Sequence, residues 1–529
     1  MPPDKLIRDA RVVDGTGAPW FVADVLLRDG RIAEIGKSIA ADGAQVIEAK
    51  GLYLAPGFID AHCHDDLICL REPGRIEKIA QGVTTLVVGN CSFSLYPATV
   101  QSAPSLRKHF STLLGEVSPD EVFDSLASYR AAIHQRGLAL NLVSLVGHAA
   151  LRIAVLGHER RAATDAECAQ MQALLARQLE AGAVGLSLGL VYPPSAYADR
   201  NELLALARTV EQHGKVLAAH IRGYEGDLLE SIDEFVDLLK SSGSPGLLSH
   251  LQLAGRPNWG RMGEALAKLE QARAQGVDVS FDMYPYPAGS SYILQLLPPN
   301  ALEGGYDGLV ARLSQAPFLE KLRLYLDGTD SGGAAPSKVS LIGWDNVRIS
   351  GVSNPGLKSL EGQTMVQAAS GLNITPFDVL LRLILEDQGQ TSIVMFQLDE
   401  KDLHAACTHR LHMVGSDGLP RPGTKPHPRA YGTFPRVAGR LRREGWFPLE
   451  DAVCRMTSRA AERFGLTDRG LVRPGMAADL VLFDDAIQDT ATFDSPTQLP
   501  TGIAHVLVAG EMVMENGNLT GRLPGRVLG

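Results

Sequence analysis

The feature that most restricts the fold is a unit that recurs along the middle of the chain: an amphipathic helix, a glycine that ends it, and an apolar strand. Residues 228–240 have the helical pattern, stop at Gly243, and lead into the run Leu247-Leu248-Ser249-His250. A glycine just beyond the last helical turn is a common end signal. Repetition of the unit predicts a parallel sheet whose strands are connected by helices. Further helices of this kind are predicted at 166–181, 202–213 and 265–275.

The number of candidate strands suits a closed barrel of eight parallel strands, the (β/α)₈ architecture of the α/β class. The candidates are 58–62, 84–88, 140–146, 184–188, 216–220, 246–250, 277–282 and 413–416. A ninth candidate, 391–396, indicates that one strand is misassigned or lies outside the barrel. The region from about 288 to 390 is too long for a simple loop, and we interpret it as an inserted subdomain or lid.

Short β segments stand at both ends of the chain. Near the N-terminus two strands flank Asp29-Gly30, which is a strong hairpin signal. Similar β patterns return after residue 470, at 475–484 and 505–510, and we expect them to pair with the N-terminal ones. This predicts three regions: an N-terminal β part at 1–57, a barrel at 58–440 that contains the insertion at 288–390, and a C-terminal β part at 470–529.

Composition excludes several classes of protein. The 529 residues carry a net charge of -10, whereas a nucleic-acid binder needs a basic face. No apolar stretch approaches the roughly 20 residues of a membrane span. The N-terminal residues lack the apolar core of a signal peptide, and the six cysteines form no CxxC pair, as expected for reduced thiols. We therefore expect a cytoplasmic protein that binds neither nucleic acid nor membrane.

A His-x-His motif follows the first candidate barrel strand. Residues two apart on a strand point to the same face, so His62 and His64 are expected to project together. Imidazole is a common metal ligand, and Asp60 and Asp65-Asp66 add negative charge nearby. A pair of histidines on a solvated strand face is the alternative, and so short a motif leaves both interpretations open.

The ends of the other strands favour the metal site. In a parallel barrel the active site lies at the carboxyl ends of the strands. In addition to His62 and His64, those ends carry Cys91, His220, His250 and Asp417. Nitrogen, sulfur and oxygen ligands in one cluster are typical of zinc. Cys91 has a second interpretation as a small buried apolar residue, but its place in Gly89-Asn90-Cys91 at a strand end favours a zinc-bound thiolate.

These motifs together resemble the N-acyl-D-amino-acid deacylase (D-aminoacylase) family of the amidohydrolase superfamily, over nearly the whole chain. The resemblance is carried by GFIDAHCHDD (57–66), GNCSFS (89–94), GAVGLSLGLVYPP (182–194), AHIR (219–222), SHLQLAG (249–255), NWG (258–260), FDMYPY (281–286), GSDGLP (415–420) and PHPRAYGTFP (426–435).

The resemblance implies a fold and a reaction. The fold is a (β/α)₈ barrel with a small β-sandwich domain formed by both termini and an inserted region. The reaction is the zinc-dependent hydrolysis of the amide bond of N-acyl-D-amino acids. It further implies a tightly held zinc on Cys91, His220 and His250, and a second, weaker metal position at His62 and His64 that shares Cys91.

The resemblance also implies roles for residues around the metals. Asp417 matches the catalytic aspartate, which would act as general base and acid. Arg429 matches the arginine that holds the substrate α-carboxylate, with Tyr284 and Ser290 as helpers. Tyr192 is a hypothetical donor to the oxyanion, although a tyrosine before two prolines can simply pack.

Two rival functions are weighed against this one. A ring-opening enzyme of the hydantoinase or dihydroorotase kind would need a carboxylated lysine between two metals, and no lysine stands at a barrel strand end. A non-catalytic metal-binding barrel would be expected to have lost Asp417 or a metal ligand, and all are present. The preferred side chain stays open: Arg222 and Arg256 are candidate second cations for acidic substrates, whereas the apolar stretch at 292–296 favours hydrophobic ones. An oligomer is possible.

Overall fold

The computed structural model describes residues 4–329 and 336–529; residues 330–335, within the predicted insertion, lie outside the described residues. The strands are, in chain order, β1 (Lys5–Val12), β2 (Phe21–Arg28), β3 (Arg31–Gly36), β4 (Gln45–Glu48), β5 (Tyr53–Pro56), β6 (Phe58–Asp60), β7 (Val83–Val88), β8 (Asn141–Gly147), β9 (Gly185–Gly189), β10 (Val216–His220), β11 (Gly246–Leu248), β12 (Val279–Met283), β13 (Ala288–Tyr292), β14 (Val347–Gly351), β15 (Ser392–Phe396), β16 (His412–Val414), β17 (Leu480–Gln488), β18 (Thr501–Val508), β19 (Glu511–Glu515) and β20 (Asn518–Leu519).

The α-helices are, in the same order, α1 (Ile68–Arg71), α2 (Ile76–Ile79), α3 (Ala103–Leu114), α4 (Leu126–Arg136), α5 (His148–Val155), α6 (Asp165–Glu180), α7 (Arg200–Gln212), α8 (Leu228–Ser242), α9 (Met262–Ala274), α10 (Gly305–Leu313), α11 (Ala316–Leu326), α12 (Lys338–Ile342), α13 (Met365–Leu372), α14 (Pro376–Glu386), α15 (Glu400–Thr408), α16 (Arg429–Pro435), α17 (Leu449–Met456) and α18 (Ser458–Arg463). The four helices predicted from the glycine pattern are α6, α7, α8 and α9, which confirms those predictions to within a few residues. Gly243 ends α8 with a φ of 82°, a left-handed conformation that glycine adopts without steric cost.

Eight parallel strands form the barrel, in the order β6-β7-β8-β9-β10-β11-β12-β16. They coincide with the eight first-choice candidates from the sequence. The first and last strands meet, because the Ala61 N–H donates to the Val414 carbonyl at 3.2 Å, and Cys63 forms a parallel bridge with Gly418. The sheet is therefore closed, and the segments that follow β6 and β16 lie side by side.

The ninth candidate strand, 391–396, lies outside the barrel. It forms β15, the central strand of a three-stranded antiparallel sheet with β13 and β14 on either side. This sheet and helices α10 to α14 occupy the stretch between β12 and β16, where the sequence predicts an insertion. Its polar and apolar side chains reach the carboxyl ends of the barrel strands, as described below.

A further sheet joins the two ends of the chain. Strand β17 pairs antiparallel with β5, with Leu480 opposite Pro56, so the C-terminal strands β17 to β20 continue the sheet of the N-terminal strands β1 to β5. The expected pairing of the two terminal β regions is confirmed. The sheet has an apolar core of its own, built from residues such as Val25, Leu54 and Leu482.

Within residues 4–329 and 336–529, no single helix is long and apolar enough to span a membrane. Among these helices, only the pair α13 and α14 reaches that length and hydropathy together, and the pair is bent by 92° at the break between its two helices.

Candidate metal centre and active site

His62 and His64 lie just beyond the carboxyl end of β6, which stops at Asp60 rather than at residue 62. Backbone pairing with the segment that follows β16 continues beyond the end of β6: the Asp417 N–H donates to the His62 carbonyl at 2.7 Å. The two imidazole rings meet edge to face with centroids 5.4 Å apart. The prediction that both histidines project to one place is confirmed, although the segment that carries them is not a regular strand.

Cys91 lies between two of the predicted ligands. Its Sγ is 3.3 Å from His62 Nε2 and 3.6 Å from His250 Nε2. All three ligand atoms lie within 4.8 Å of one another and all three residues are buried. Zinc binds sulfur at about 2.3 Å and imidazole nitrogen at about 2.0–2.1 Å, so neighbouring ligands of one tetrahedral ion stand about 3–4 Å apart. The spacing of this group fits a zinc ion.

A second group shares His62 with the first. His64 Nε2 is 3.2 Å from Asp417 Oδ1, and His62 Nε2 is 3.6 Å from the same oxygen. These atoms also lie within 4.8 Å of one another. Nitrogen and carboxylate oxygen are both zinc ligands. The residues present therefore fit two adjacent metal positions, with His62 between them.

His220, at the end of β10, borders the first group without belonging to it. Its ring centroid is 4.5 Å from that of His250, and its Nδ1 is buried without a hydrogen-bond partner. The family resemblance assigns His220 to the tight zinc site with Cys91 and His250, whereas the group whose ligand atoms lie within 4.8 Å of one another contains His62 instead. The assignment of His220 stays a prediction.

Electrostatics favour a thiolate at Cys91. Burial alone would raise the pKa of this thiol, but the charge of His62 and hydrogen bonds from His220, His250 and His62 hold its pKa well below the usual value. Burial likewise would lower the pKa of His62, but Asp282 and Cys91 raise it well above its usual range. A thiolate surrounded by imidazoles is the protonation state in which cysteine binds zinc.

Asp282 is a site residue that the sequence analysis did not select. It stands on β12, and its Oδ2 is 3.3 Å from His62 Nδ1. Its Oδ1 accepts a hydrogen bond from the backbone N–H of His250 at 2.9 Å. A carboxylate on the far nitrogen of a metal-binding imidazole fixes its tautomer and ring orientation. The signal was present as the only acid in the FDMYPY motif, which ends the seventh barrel strand.

The cavity above these groups holds most of the predicted substrate residues. Tyr192, Tyr284 and Ser290 line it together with His64, Cys91, His220, His250 and Asp417. The Tyr284 hydroxyl donates to Gln252 Oε1 at 2.9 Å, and the Ser290 hydroxyl donates to the Ile393 carbonyl at 3.0 Å. The Tyr192 hydroxyl accepts from Gln295 Nε2 at 3.4 Å. The structure therefore brings all three predicted side chains to one cavity.

Arg429 lies behind the cavity wall rather than in it. Its side chain is fully buried, its Nη2 is 2.8 Å from Asp417 Oδ2, and its guanidinium lies over the Tyr284 ring at 4.3 Å. Nη2 also donates to the Ser290 carbonyl at 3.3 Å, whereas Nε and Nη1 have no hydrogen-bond partner. Burial alone would raise the pKa of Asp417, but Arg429 and the histidines hold it well below its usual range.

The two arginines considered as second cations do not line the cavity. Arg222 forms an ion pair with Glu234 at 2.9 Å and donates to the carbonyls of Ala196 and Ala198. The cation that lines the cavity is Lys338, from helix α12 of the insertion. The sequence analysis did not select Lys338, because the residue lies in the insertion and no motif around it indicates a place in the site.

A buried charge network supports the metal groups from below. Lys78 Nζ lies 2.8 Å from Asp60 Oδ2 and 3.2 Å from Asp65 Oδ2, and all three side chains are fully buried. Asp60 in turn accepts the backbone N–H of Ser416 at 2.8 Å and its hydroxyl at 2.6 Å. The network connects the segment that carries His62 and His64 with the loop that carries Asp417.

Comparison with known proteins agrees with this geometry. The model of the amidohydrolase family matches residues 45–289 and 388–514, which flank most of the insertion. D-aminoacylase from Alcaligenes xylosoxydans xylosoxydans is 36% identical to the chain over 100% of its length and 98% of the relative. N-acyl-D-glutamate deacylase from the same organism is 37% identical over 99% of this chain and 96% of the relative.

A solved structure shows the same fold. The crystal structure of N-acyl-D-glutamate deacylase from Bordetella bronchiseptica, complexed with zinc and a phosphonate inhibitor that mimics the tetrahedral intermediate, superposes with a TM-score of 0.83. The two sequences are 35% identical, and the match covers 100% of both chains. The chain therefore belongs to the amidohydrolase family, in the group that contains D-aminoacylase and the N-acyl-D-amino-acid deacylases.

Proposed function

We propose that the protein is a zinc-dependent deacylase that hydrolyses the amide bond of N-acyl-D-amino acids to a carboxylate and a free D-amino acid. The observation that carries the proposal is the convergence of the two ligand groups, His62–Cys91–His250 and His62–His64–Asp417, on one cavity. The relatives of known activity supply the substrate class, because they act on N-acyl-D-amino acids.

The metal would be held tightly by Cys91 and His250 with His220 or His62, and a weaker second position would use His62 and His64. Zinc held by these residues would lower the pKa of a water molecule to about 7 and polarise the carbonyl group of the substrate. Asp417 would remove a proton from the attacking water through Oδ1 and deliver it to the nitrogen of the leaving amine. This oxygen already stands beside both histidines of the second group.

Arg429 would hold the α-carboxylate of the substrate. Its unpaired Nη1 leaves N–H donors for a carboxylate, and a charge-assisted hydrogen bond there would fix the direction of the scissile bond. Tyr284 and Ser290 lie between the guanidinium and the cavity and would add hydroxyl donors. Tyr192, on the cavity wall, would donate to the oxyanion that forms at the carbonyl carbon.

We extend the proposal to domain limits and location. Residues 1–57 and 470–529 would form the β-sandwich part, and 58–440 the barrel, with 288–390 as a lid over the site. The six cysteines are free thiols, four of them buried, which supports a reducing compartment such as the cytoplasm.

The test is the release of free amino acid from a panel of N-acetyl-D- and N-acetyl-L-amino acids, with zinc measured on the same sample. We expect release from D-substrates only, at a zinc content of at least one equivalent per chain. Chelation should abolish the release, and added zinc should restore it. Hydrolysis of cyclic amides, with no release from any linear D-substrate, would contradict the proposal and favour the ring-opening reaction.

A further inference from the structure

Lys338 is the cation in the wall of the active-site cavity. Among the described residues that line the cavity, it alone carries an ammonium or guanidinium group. Its side chain is 14% exposed and stands at the first residue of α12, in the insertion. This charged side chain is nearly buried and stands beside the groups proposed to do the chemistry, so it is a candidate for binding part of the substrate.

The charge of Lys338 is balanced from outside the cavity. Its Nζ donates to Oε1 of Glu225, which follows β10 and does not line the cavity. Glu225 also accepts the Tyr224 N–H at 3.2 Å. Burial alone would raise the pKa of Glu225, but Lys338 keeps it below the usual value, so the carboxylate is ionised at neutral pH. The pair therefore brings no net charge to the cavity.

The lysine still has hydrogens to donate. An ammonium group carries three N–H donors, and Glu225 is the acceptor that the described residues supply. The wall nearby contains the amides of Gln252, Gln295 and Gln397, and Gln295 Oε1 is buried without a donor. The lysine and this part of the wall therefore form a neutral, polar surface with ammonium donors and the Gln295 acceptor left for a ligand.

Lys338 and Arg429 approach the cavity from different parts of the barrel. Arg429 pairs with Asp417, which follows the last barrel strand β16, whereas Lys338 is anchored by Glu225, which follows β10. In the barrel order, β11 and β12 separate these two strands. A substrate whose α-carboxylate is bound at Arg429 can therefore direct another polar group toward Lys338.

We propose that the Glu225–Lys338 pair forms the subsite for the substrate side chain, and that it selects neutral, oxygen-bearing side chains such as those of D-glutamine and D-asparagine. This rests on the proposed deacylase function. An amide side chain accepts from Lys338 without changing the charge of the wall. A carboxylate would add an uncompensated buried charge, and an aliphatic chain would leave the ammonium donors unpaired, so both are disfavoured.

The test compares kcat/KM for N-acetyl-D-glutamine, N-acetyl-D-glutamate and N-acetyl-D-leucine, using the zinc-loaded full-length protein. We expect the glutamine substrate to exceed the other two by about tenfold, the equivalent of about 1.4 kcal/mol. Glu225→Gln leaves the lysine charge unbalanced, so the glutamate-to-glutamine ratio should rise about tenfold. Lys338→Met removes the donor, so the glutamine-to-leucine ratio should fall about tenfold.

A matched control is Lys108→Met. Lys108, on α3, is bonded at 2.5 Å to Asp307 of the insertion, so this pair also connects the barrel to the insertion, but both side chains are at least half exposed. Substrate ratios should stay within about twofold in this variant, because an exposed pair contributes little. Thermal unfolding of each variant checks its folding, and Glu225→Gln preserves the side-chain shape if Lys338→Met fails to fold.

Three results would overturn the inference. An equal fall in kcat/KM for all three substrates in Lys338→Met would mean that the pair only holds the insertion against the barrel. An unchanged glutamate-to-glutamine ratio in Glu225→Gln would exclude charge balance as the basis of selection. Both leave the proposed function intact, since D-substrates are still hydrolysed. Zinc-loaded wild-type protein that hydrolyses no D-substrate would remove the proposed function and this inference together.

Discussion

Arg429 Nη2 lies 2.8 Å from Oδ2 of Asp417, so the residue proposed to hold the substrate also holds the proposed base. The other oxygen of Asp417 faces His64 at 3.2 Å. One carboxylate thus divides its two oxygens between the arginine and the metal groups. The arrangement keeps Asp417 ionised and directs Oδ1 toward His62 and His64.

Asp417→Asn should abolish turnover while leaving the first metal position filled. The amide cannot accept the water proton, and general base catalysis contributes about 10²–10⁴-fold in rate. The first ligand group consists of His62, Cys91 and His250 and does not include Asp417, so about one equivalent of zinc should remain. The measurements are kcat and zinc content on the same sample. Turnover close to that of the wild type would exclude Asp417 as the base.

Arg429→Gln should raise KM by about tenfold or more, because a charge-assisted hydrogen bond to the α-carboxylate is lost. It should also shift the pH profile. Arg429 holds the pKa of Asp417 below its usual range, so its removal raises that pKa and moves the acidic limb of kcat/KM to higher pH. An unchanged KM would remove Arg429 from substrate binding, and an unmoved acidic limb would remove it from control of Asp417.

Lys78→Met should destabilise the protein by about 3–5 kcal/mol, because it leaves the buried carboxylate of Asp60 without its cation, whereas Asp65 keeps its pair with Arg75. Urea unfolding measures the loss. The double variant Lys78→Met/Asp60→Asn should recover part of it, since the unpaired charge of Asp60 is removed. Lys268→Met is the control: its pair with Asp233 is exposed, and its loss should cost no more than about 1 kcal/mol.

His109 should make stability depend on pH. Its ring stacks on Phe93 with centroids 5.0 Å apart, and burial, with a smaller effect of His158, lowers its pKa to about 3. An unfolded histidine binds its proton near pH 6.5. The contribution of His109 to stability is therefore complete above about pH 6.5 and is lost as pH falls toward 3.

His109→Phe keeps the stacked ring but removes the titrating group. Its loss of stability between pH 7.5 and pH 5 should be smaller than that of the wild type. The exposed His134 provides the control, because His134→Gln should leave the pH dependence unchanged. If the stability of His109→Phe and that of the wild type fall equally between pH 7.5 and pH 5, other groups produce the acid sensitivity.

The sequence predicts the barrel well because its signals are local. Each helix that ends at a glycine, such as α8 at Gly243, and each apolar run that follows can be recognised within one βα unit. The carboxyl ends of those runs then place His62, Cys91, His250 and Asp417 near one another by the geometry of the fold alone.

The rest of the site depends on contacts between distant parts of the chain. Asp282 contacts His62 from β12, which is far from β6 in the sequence, and Lys338 comes from the insertion, so local spacing in the sequence indicates neither contact. The backbone is also unusual, because Cys91, His250 and Asp417 have φ values of 53°, 36° and 47°. Side chains other than glycine adopt this left-handed conformation only where the surrounding structure enforces it, so the early ends of the strands could not be read from propensity.

The pairing of β5 with β17 has a consequence for synthesis on the ribosome. Strand β5 precedes the whole barrel in the chain, and β17 follows it, so β5 leaves the ribosome long before its neighbour exists. Until then one edge of the N-terminal sheet offers unpaired backbone groups to any passing strand. Completion of this sheet is consequently a late step, and chains released before β17 is made should be prone to aggregation even if their barrels have closed.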